Sequence, residues 1–456
     1  MSDVWRMLRQ SADAQPPFFY WIERLASHLS STEEIAYRLP SIIAFPFLLL
    51  LLFLFVKKRA SGWIALLCCS LPLLMVLNYP FSVEARPYEM VVACFALAVI
   101  CYQRVPAIPW TILMGLSFVL AESLHYYAIF SIVPFMIAEI ALFIKSRRFR
   151  AGVWLAFASG ALPLIVCWPL LEQLREFYGK HPWNVPNLHG VVGFYAWSFQ
   201  FLIRSLTIDV LLLMAFVAGA IALYFPRVRS ALLSDPDFHQ YVLLIVMLGT
   251  PFLAFVAAKV AHGGVDNRYA LSAVLAFPLG AGFLLPRLNR TFVLLLAVFL
   301  FFPLVRQEAT FWSSERGHLG RMVSPAIPVE NLVAAAGHPD LPGVISEGFV
   351  YFQLFYYASP DWVARFVSVV DPIGSVAYTG NDTIDKNLIV LARYYPMRVI
   401  DFSDFAASHR SFLLYSSGGS WDWWAARLTH DGYSLRIVAS DQGKRVYLVS
   451  LGKFVE

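Results

Sequence analysis

The chain has 456 residues, 59% of them hydrophobic and 14% charged, with a formal net charge of +5 and a mean hydropathy of +0.63. That composition excludes an ordinary soluble enzyme and marks an α-helical polytopic membrane protein. The surplus of base sits in short loops between apolar runs, so it is no sign of nucleic-acid binding.

The first 39 residues contain Asp13-Ala14-Gln15-Pro16-Pro17-Phe18-Phe19-Tyr20, with apolar Phe18, Ile22, Leu25 and Leu29 on one helical stripe. The proline pair and the stripe predict an amphipathic helix lying in the membrane interface. About ten spans of bilayer length follow. They are expected near 40–56, 62–79, 87–102, 108–121, 124–144, 151–171, 207–225, 240–259, 268–285 and 291–305. The aromatic-rich stretch 188–206 reads as an interfacial or half-buried helix.

One set of loops carries Lys57-Lys58-Arg59, Arg104, Lys145 with Arg147, Arg148 and Arg150, Arg227 with Arg229, and Arg287 with Arg290. The alternate loops carry Glu84, Glu122, Glu172, Glu176 and Asp266. By the positive-inside rule the first set is cytoplasmic and both termini lie outside. An outer head with no span before it predicts a native product that starts upstream, with about eleven spans in all. The five cysteines, Cys68, Cys69, Cys94, Cys101 and Cys167, all fall within expected spans and read as small packing residues. No His/Cys cluster has metal-site spacing, and no Gly-rich loop is suited to cradle phosphate.

Residues 306–456 recover polar residues, Gly/Pro punctuation and alternating patterns. Strands are expected at 344–346, 363–370, 398–402 and 412–416, and helices at 349–358, 382–395 and 422–430. A hairpin is expected from 433–439 and 445–451 across Asp441-Gln442-Gly443-Lys444. The chain therefore divides into an outer loop with a juxtamembrane helix (1–39), a transmembrane domain (40–305) and a small extracytoplasmic α/β domain (306–456). Trp421, Trp423 and Trp424 suit contact with sugar or lipid, but core or interface packing is the favoured reading in so aromatic a domain.

Glu84-Ala85-Arg86-Pro87-Tyr88 places an acid and a guanidinium at the mouth of a span. Ionisable groups at membrane depth cost roughly 2.5–3.5 kcal/mol each on insertion scales, so they need a partner or a task. Either the two form a structural ion pair, or they mark a site for a charged, lipid-borne substrate. Two more outer segments concentrate polar groups at span ends: Glu122-Ser123-Leu124-His125-Tyr126-Tyr127 and Asp266-Asn267-Arg268-Tyr269. Each has a structural alternative. Asp13 suits a helix cap, Glu122 an ion pair, His125 a packed ring and Arg268 an end-of-span anchor.

Gln15-Pro-Pro-Phe-Phe-Tyr, Tyr37-Arg-Leu-Pro-Ser, Glu84-Ala-Arg-Pro-Tyr, His125-Tyr-Tyr and Arg268-Tyr269 follow one another in an order that resembles the C-type glycosyltransferases. These multi-span enzymes are similar to protein O-mannosyltransferases and bacterial lipid A aminoarabinose transferases, and the resemblance covers residues 3–305. It implies a polyprenyl-phosphate-linked sugar donor and inverting transfer to a glycan, lipid or protein acceptor outside the cytoplasmic (inner) membrane. It also implies that Arg86 and Arg268 stabilise the phosphate leaving group, with His125 as a donor and Gln15, Glu84, Glu122 and Tyr269 contacting substrate. It implies no cofactor; the superfamily admits a divalent metal, but no ligand set in this sequence argues for one. The family's principal acid precedes the Pro-Pro segment by a distance that here runs past Met1, so Asp13 is the acidic candidate this chain offers. A transporter for lipid-linked sugars and a non-catalytic polyprenyl-binding relative are the alternatives. The sequence shows neither the broken helices nor the inverted repeats expected of the former.

Overall fold

The computed structural model describes residues 2–77, 81–199, 237–261, 263–315, 324–419 and 421–451. The expected span at 207–225 lies outside the described residues. The chain forms two compact units. One is Gln15–Leu171 with Asn184–Gly317; the other is Met1–Ala14 with Glu172–Trp183 and His318–Glu456.

The first unit is helical. Among the described residues, Glu33–Lys57, Tyr126–Ser146 and Asn267–Arg287 are long and apolar enough to cross a membrane, and two bent pairs bring the number to five if each is one span. In Glu33–Lys57, acids in the first turn and a lysine in the last complement the helix dipole. Leu48, Leu52, Phe55 and Val56 are buried, whereas Ile43, Phe47, Leu50 and Leu54 are exposed. A helix apolar on all sides is at home only where its outer face meets lipid. Tyr88–Tyr102 is the innermost helix, with 12 of its 15 residues buried. Gly282 brings the Ala276–Leu284 helix against the first span, since a Cβ there would stand 2.7 Å from Val56 Cγ2. Four of the five cysteines are buried and all are free, in keeping with a packing role.

Two expected spans are broken. Phe238–Leu248 and Thr250–Val260 meet at 54° across Gly249, with Pro251 just beyond. The run 151–171 breaks after Val166. Glycine and proline weaken or remove the backbone hydrogen bonds that would carry a helix through such points. The amphipathic helix forms as Pro17–Ala26. Phe19 and Ala26 are buried, Ile22 packs on the core, and Phe18, Trp21 and Leu25 are exposed.

One buried ionic group escaped the sequence reading. The Glu139 side chain, 1% exposed, accepts from Arg150 Nε at 2.8 Å, from Arg150 Nη2, and from the Tyr102 hydroxyl at 3.1 Å. Arg150 is the base that closes the Lys145–Arg150 loop, and its charge turns inward onto this acid.

The second unit is built on a six-stranded sheet. Its strands are β1 (Gly343–Ile345), β2 (Phe366–Val370), β3 (Val399–Asp401), β4 (Ser411–Ser416), β5 (Tyr433–Asp441) and β6 (Lys444–Leu451), in the order β3-β2-β1-β4-β6-β5. The first four run parallel, and β6 is antiparallel to β4 and β5. Alternate residues of β4 feed two cores. Leu413 and Tyr415 join Tyr351, Leu354 and Leu388, whereas Phe412 and Leu414 join Phe405, Trp424 and Leu428. Strands β1 and β2 are buried throughout, as parallel strands covered on both faces must be. Gln442 (φ 47°) and Gly443 (φ 84°) make the two-residue turn between β5 and β6 in the left-handed conformation the hairpin requires. The expected strand at 363–370 is shorter, because Ser359-Pro360-Asp361 starts a helix, Pro360–Arg365, that takes its first half. Helices at Ser2–Arg9, Ile327–Ala335, Pro372–Thr379 and Phe402–Ser408 were not anticipated.

Asp385, on the Thr383–Leu391 helix, is 5% exposed and accepts the backbone N–H of Asp371 at 2.8 Å. Burial above all, then the nearby Asp371 and Asp382 carboxylates, pushes its carboxyl up to about 7 against the pull of that hydrogen bond. Asp371 and Asp382 are themselves bridged, each at 2.7 Å, to Arg427 and Lys386. The protonated form's stabilising contribution is whole below about pH 4 and is lost as pH rises through 7. Asp385→Asn should therefore unfold at a higher temperature than the natural chain at pH 8, by at most about 4 kcal/mol in free energy. The gap should close toward pH 4. Parallel stability curves for the two proteins across that range would show that Asp385 titrates normally.

Candidate active site at the span ends

The Glu84–Tyr88 segment is held from two sides. Its Arg86 backbone N–H donates to the Glu84 carbonyl at 2.8 Å, and the Ser41 hydroxyl, from the Glu33–Lys57 helix, donates to the Arg86 carbonyl at 2.9 Å. Tyr88 then opens the central helix, its ring edge-on to Phe81 at 5.4 Å. Glu84 and Arg86 are both half-buried, yet among the described residues their side chains form no ion pair with one another. The structural-pair reading of this segment therefore fails on geometry. The Arg86 guanidinium makes no hydrogen bond or ion pair among the described residues, while it acts electrostatically on Glu84, Tyr88 and His125. Burial pushes the Glu84 carboxyl up, Arg86 and Arg268 hold it down, and Asp266 raises it again.

His125 ends the Ile108–Leu124 helix in an extended conformation. Its Nδ1 accepts the Tyr127 backbone N–H at 3.3 Å, which assigns the remaining ring proton to Nε2. The ring is buried, 5.3 Å from Tyr88 and 4.9 Å from Tyr269. Tyr269 stacks on Tyr127 at 4.4 Å, and the Tyr127 hydroxyl donates to the Gly264 carbonyl at 2.7 Å.

Arg268 comes from a 3-10 helix, Asn267–Leu275, capped by Asp266. Asp266 Oδ1 accepts both the Arg268 backbone N–H at 3.0 Å and its Nε at 3.1 Å, while Oδ2 takes Nη2 at 3.4 Å. The guanidinium is thereby aimed over the Tyr88 ring, 5.6 Å from its centre. Tyr88, His125, Arg268 and Tyr269 line one small pocket with Ser131 and Ser272. A second cleft, lined by Asn184, Asn187, Phe194, Asp266 and Asn267 among others, adjoins it through the same loop.

The structure thus brings Glu84, Arg86, His125, Arg268 and Tyr269 together. Glu122 is wholly buried one turn before His125, and among the described residues neither carboxylate oxygen is hydrogen-bonded and no base pairs with it. Glu89, in the same condition beside Tyr88, escaped the sequence reading because it was absorbed into an apolar span; an acid in a helix's first turn was the available signal. Gln15 is buried with an unpartnered Oε1, and no hydrogen bond or ring contact among the described residues joins it to the Arg86 group. Asp13 belongs to the other unit. Its Oδ1 accepts the Ala14 N–H at 2.6 Å, and the Pro17–Ala26 helix has no side-chain cap, so Asp13 does not cap it. Among the described residues no group of three His, Cys, Asp or Glu side chains is disposed to hold a metal ion.

The stretch that carries Glu84, Arg86 and His125 matches a family model. Residues 14–172 match the family model described as dolichyl-phosphate-mannose-protein mannosyltransferase. No curated protein matches the chain. The fold is similar to that of ArnT from Cupriavidus metallidurans. The crystal structure bound to undecaprenyl phosphate superposes with a TM-score of 0.51 at 13% identity, covering 95% of this chain and 87% of that one. The apo structure of the same protein gives 0.51 at 14% identity over the same shares. The chain accordingly resembles the C-type glycosyltransferases in the sequence of its first 14–172 stretch and in its fold.

Proposed function

We propose that the chain is a membrane glycosyltransferase that moves a sugar from a polyprenyl-phosphate donor to an extracytoplasmic acceptor with inversion at the anomeric carbon. The observation that carries this reading is the pair of guanidiniums, Arg86 and Arg268, beside Tyr88 and His125 at the ends of the spans. As the glycosidic bond lengthens, negative charge accumulates on the departing phosphate, and fixed cations stabilise that charge more than they stabilise the ground state. Asp266 holds Arg268 in one orientation, which lowers the reorganisation needed at the moment of reaction. The His125 Nε2–H is a third donor. Asp266 is engaged by Arg268, and Glu84 lies in the field of both cations, so the acceptor's proton goes to a carboxylate elsewhere.

The matched family and the ArnT crystal bound to undecaprenyl phosphate support the donor class. The test is to supply membranes containing the chain with a polyprenyl-phosphate-linked sugar and measure release of the polyprenyl phosphate. Release that is equal in Arg86→Ala, Arg268→Ala and the natural chain would remove the proposal. The bent helix pairs give the transporter reading one supporting feature. Movement of the intact lipid-linked sugar across a vesicle membrane without cleavage would favour it.

The orientation follows from charge. Reporter fusions after Lys145 should report the cytoplasm and fusions after Glu456 the exterior. Both on one side would place the cluster on the wrong face.

A further inference from the structure

We propose that the crevice at the carboxyl ends of β1 and β2 in the sheet unit binds an uncharged or amino-bearing sugar ring. In the sheet order β3-β2-β1-β4, the chain moves one way from β1 through β3 and then crosses back to lay β4 on the other side of β1. Open parallel sheets bind ligands outside the strand ends near such a reversal. Ser346, Ser368, Ser375, Asn381, Asp385 and Trp421 line the crevice there.

Ser346 supplies the second, independent observation. It follows β1 directly and is 5% exposed, and its hydroxyl has no hydrogen-bond partner among the described residues. A buried hydroxyl left unpaired costs stability, and native structures rarely keep one without a use. Its backbone N–H is already engaged with the Tyr415 carbonyl at 3.1 Å, so the hydroxyl is the group left to meet a ligand.

The lining identifies the class of ligand. Ser346 offers a free hydroxyl; Ser375, which donates to the Asn381 carbonyl at 2.8 Å, and Asp385, which accepts the Asp371 N–H at 2.8 Å, keep acceptor capacity for a sugar hydroxyl, and an indole offers an apolar face to a ring. Trp421 is half-buried, while its neighbour Trp423 is fixed between Tyr378 at 5.5 Å and Trp424 at 4.3 Å. Among the described residues no basic side chain lines the crevice. Both helix N-termini that open onto it already carry acids. Glu347 stands before Gly348–Tyr357, and Asp371 caps Pro372–Thr379 by accepting the Gly374 N–H at 2.9 Å. A phosphate or nucleotide would meet like charge where such sheets otherwise welcome an anion. That the sugar belongs to the acceptor glycan rests on the proposed function; that a sugar binds does not.

The experiment uses the full chain in lipid nanodiscs, because the sheet unit is assembled from three separated segments. Methyl mannoside, glucosamine and N-acetylglucosamine are titrated by saturation-transfer NMR, with UDP and inorganic phosphate as the anionic arms. At least one sugar should bind saturably, and Ser346→Ala and Trp421→Ala should each weaken it about tenfold or more. The unfolding temperature of Ser346→Ala should be equal to or above that of the natural chain. Arg86→Ala should keep sugar binding while losing transfer, which separates this site from the reaction centre. Absence of sugar binding, equal affinity in both variants, or binding of UDP or phosphate that the variants abolish would overturn the proposal. Weakened binding with unchanged transfer to every acceptor would overturn the acceptor assignment.

Discussion

Replacing Arg86 with alanine should lower sugar transfer per folded molecule by roughly 10²–10³-fold, the loss seen when one oxyanion-type donor is removed. The guanidinium is half-buried and engages no partner among the described residues, so little native structure depends on it. Arg86→Ala should therefore reach the membrane in normal amount. Arg86→Lys should restore only part of the activity, because an ammonium does not reproduce the planar fork that takes two phosphate oxygens at once. Had Glu84 and Arg86 formed a structural pair, either single change would lower abundance and the doubly neutral variant would restore it. With no such pair, Glu84→Gln/Arg86→Ala should be as inactive as Arg86→Ala alone. Normal turnover in well-folded Arg86→Ala protein would eliminate the catalytic role.

The largest effect on folding is expected at Glu139. Its carboxylate answers Arg150 and Tyr102 in a nearly dry environment, and removing it leaves a cation with its partner gone. Breaking a buried pair from one side costs about 3–5 kcal/mol, whereas replacing both partners with apolar groups of similar size is often neutral. Glu139→Ala should thus sharply reduce the fraction of folded protein recovered in detergent. Glu139→Leu combined with Arg150→Met should recover most of it. Tyr102→Phe removes one hydrogen bond and should cost only about 1 kcal/mol. Equal thermal midpoints for the natural chain and Glu139→Ala would show that the pair contributes nothing.

The elements of the sheet unit were legible where burial pattern and length agreed, as in β4 and in the hairpin with its Gln442-Gly443 turn. They were missed where short helices depend on a cap rather than on a long apolar stripe. Asp371-Pro372-Ile373-Gly374 is such a case, since an acid and a proline start a helix of only eight residues that Gly380 then stops. In the membrane unit the apolar runs announced helices but concealed their bends, because a hydropathy pattern is blind to a break at Gly249. The reaction cluster was legible in its charged members. Its orienting contacts were not: Asp266 clamps Arg268 two residues on, within a segment the sequence had marked only for its polarity, and Tyr88 lies under that guanidinium through a ring contact between segments far apart in sequence. The Glu139 pair was invisible for the same reason: an acid inside an apolar run declares no partner.

The Tyr178 hydroxyl lies 2.8 Å from both the Ser11 carbonyl and Asn387 Oδ1, and Lys386 Nζ donates to the Phe177 carbonyl at 3.1 Å. The opening residues of the chain, one inter-helix segment and the closing third thus meet at a single knot. On a ribosome the first two wait for the last, so this unit cannot close before residues 318–456 are made, and a chain arrested short of Asn387 would leave Tyr178 without one of its partners.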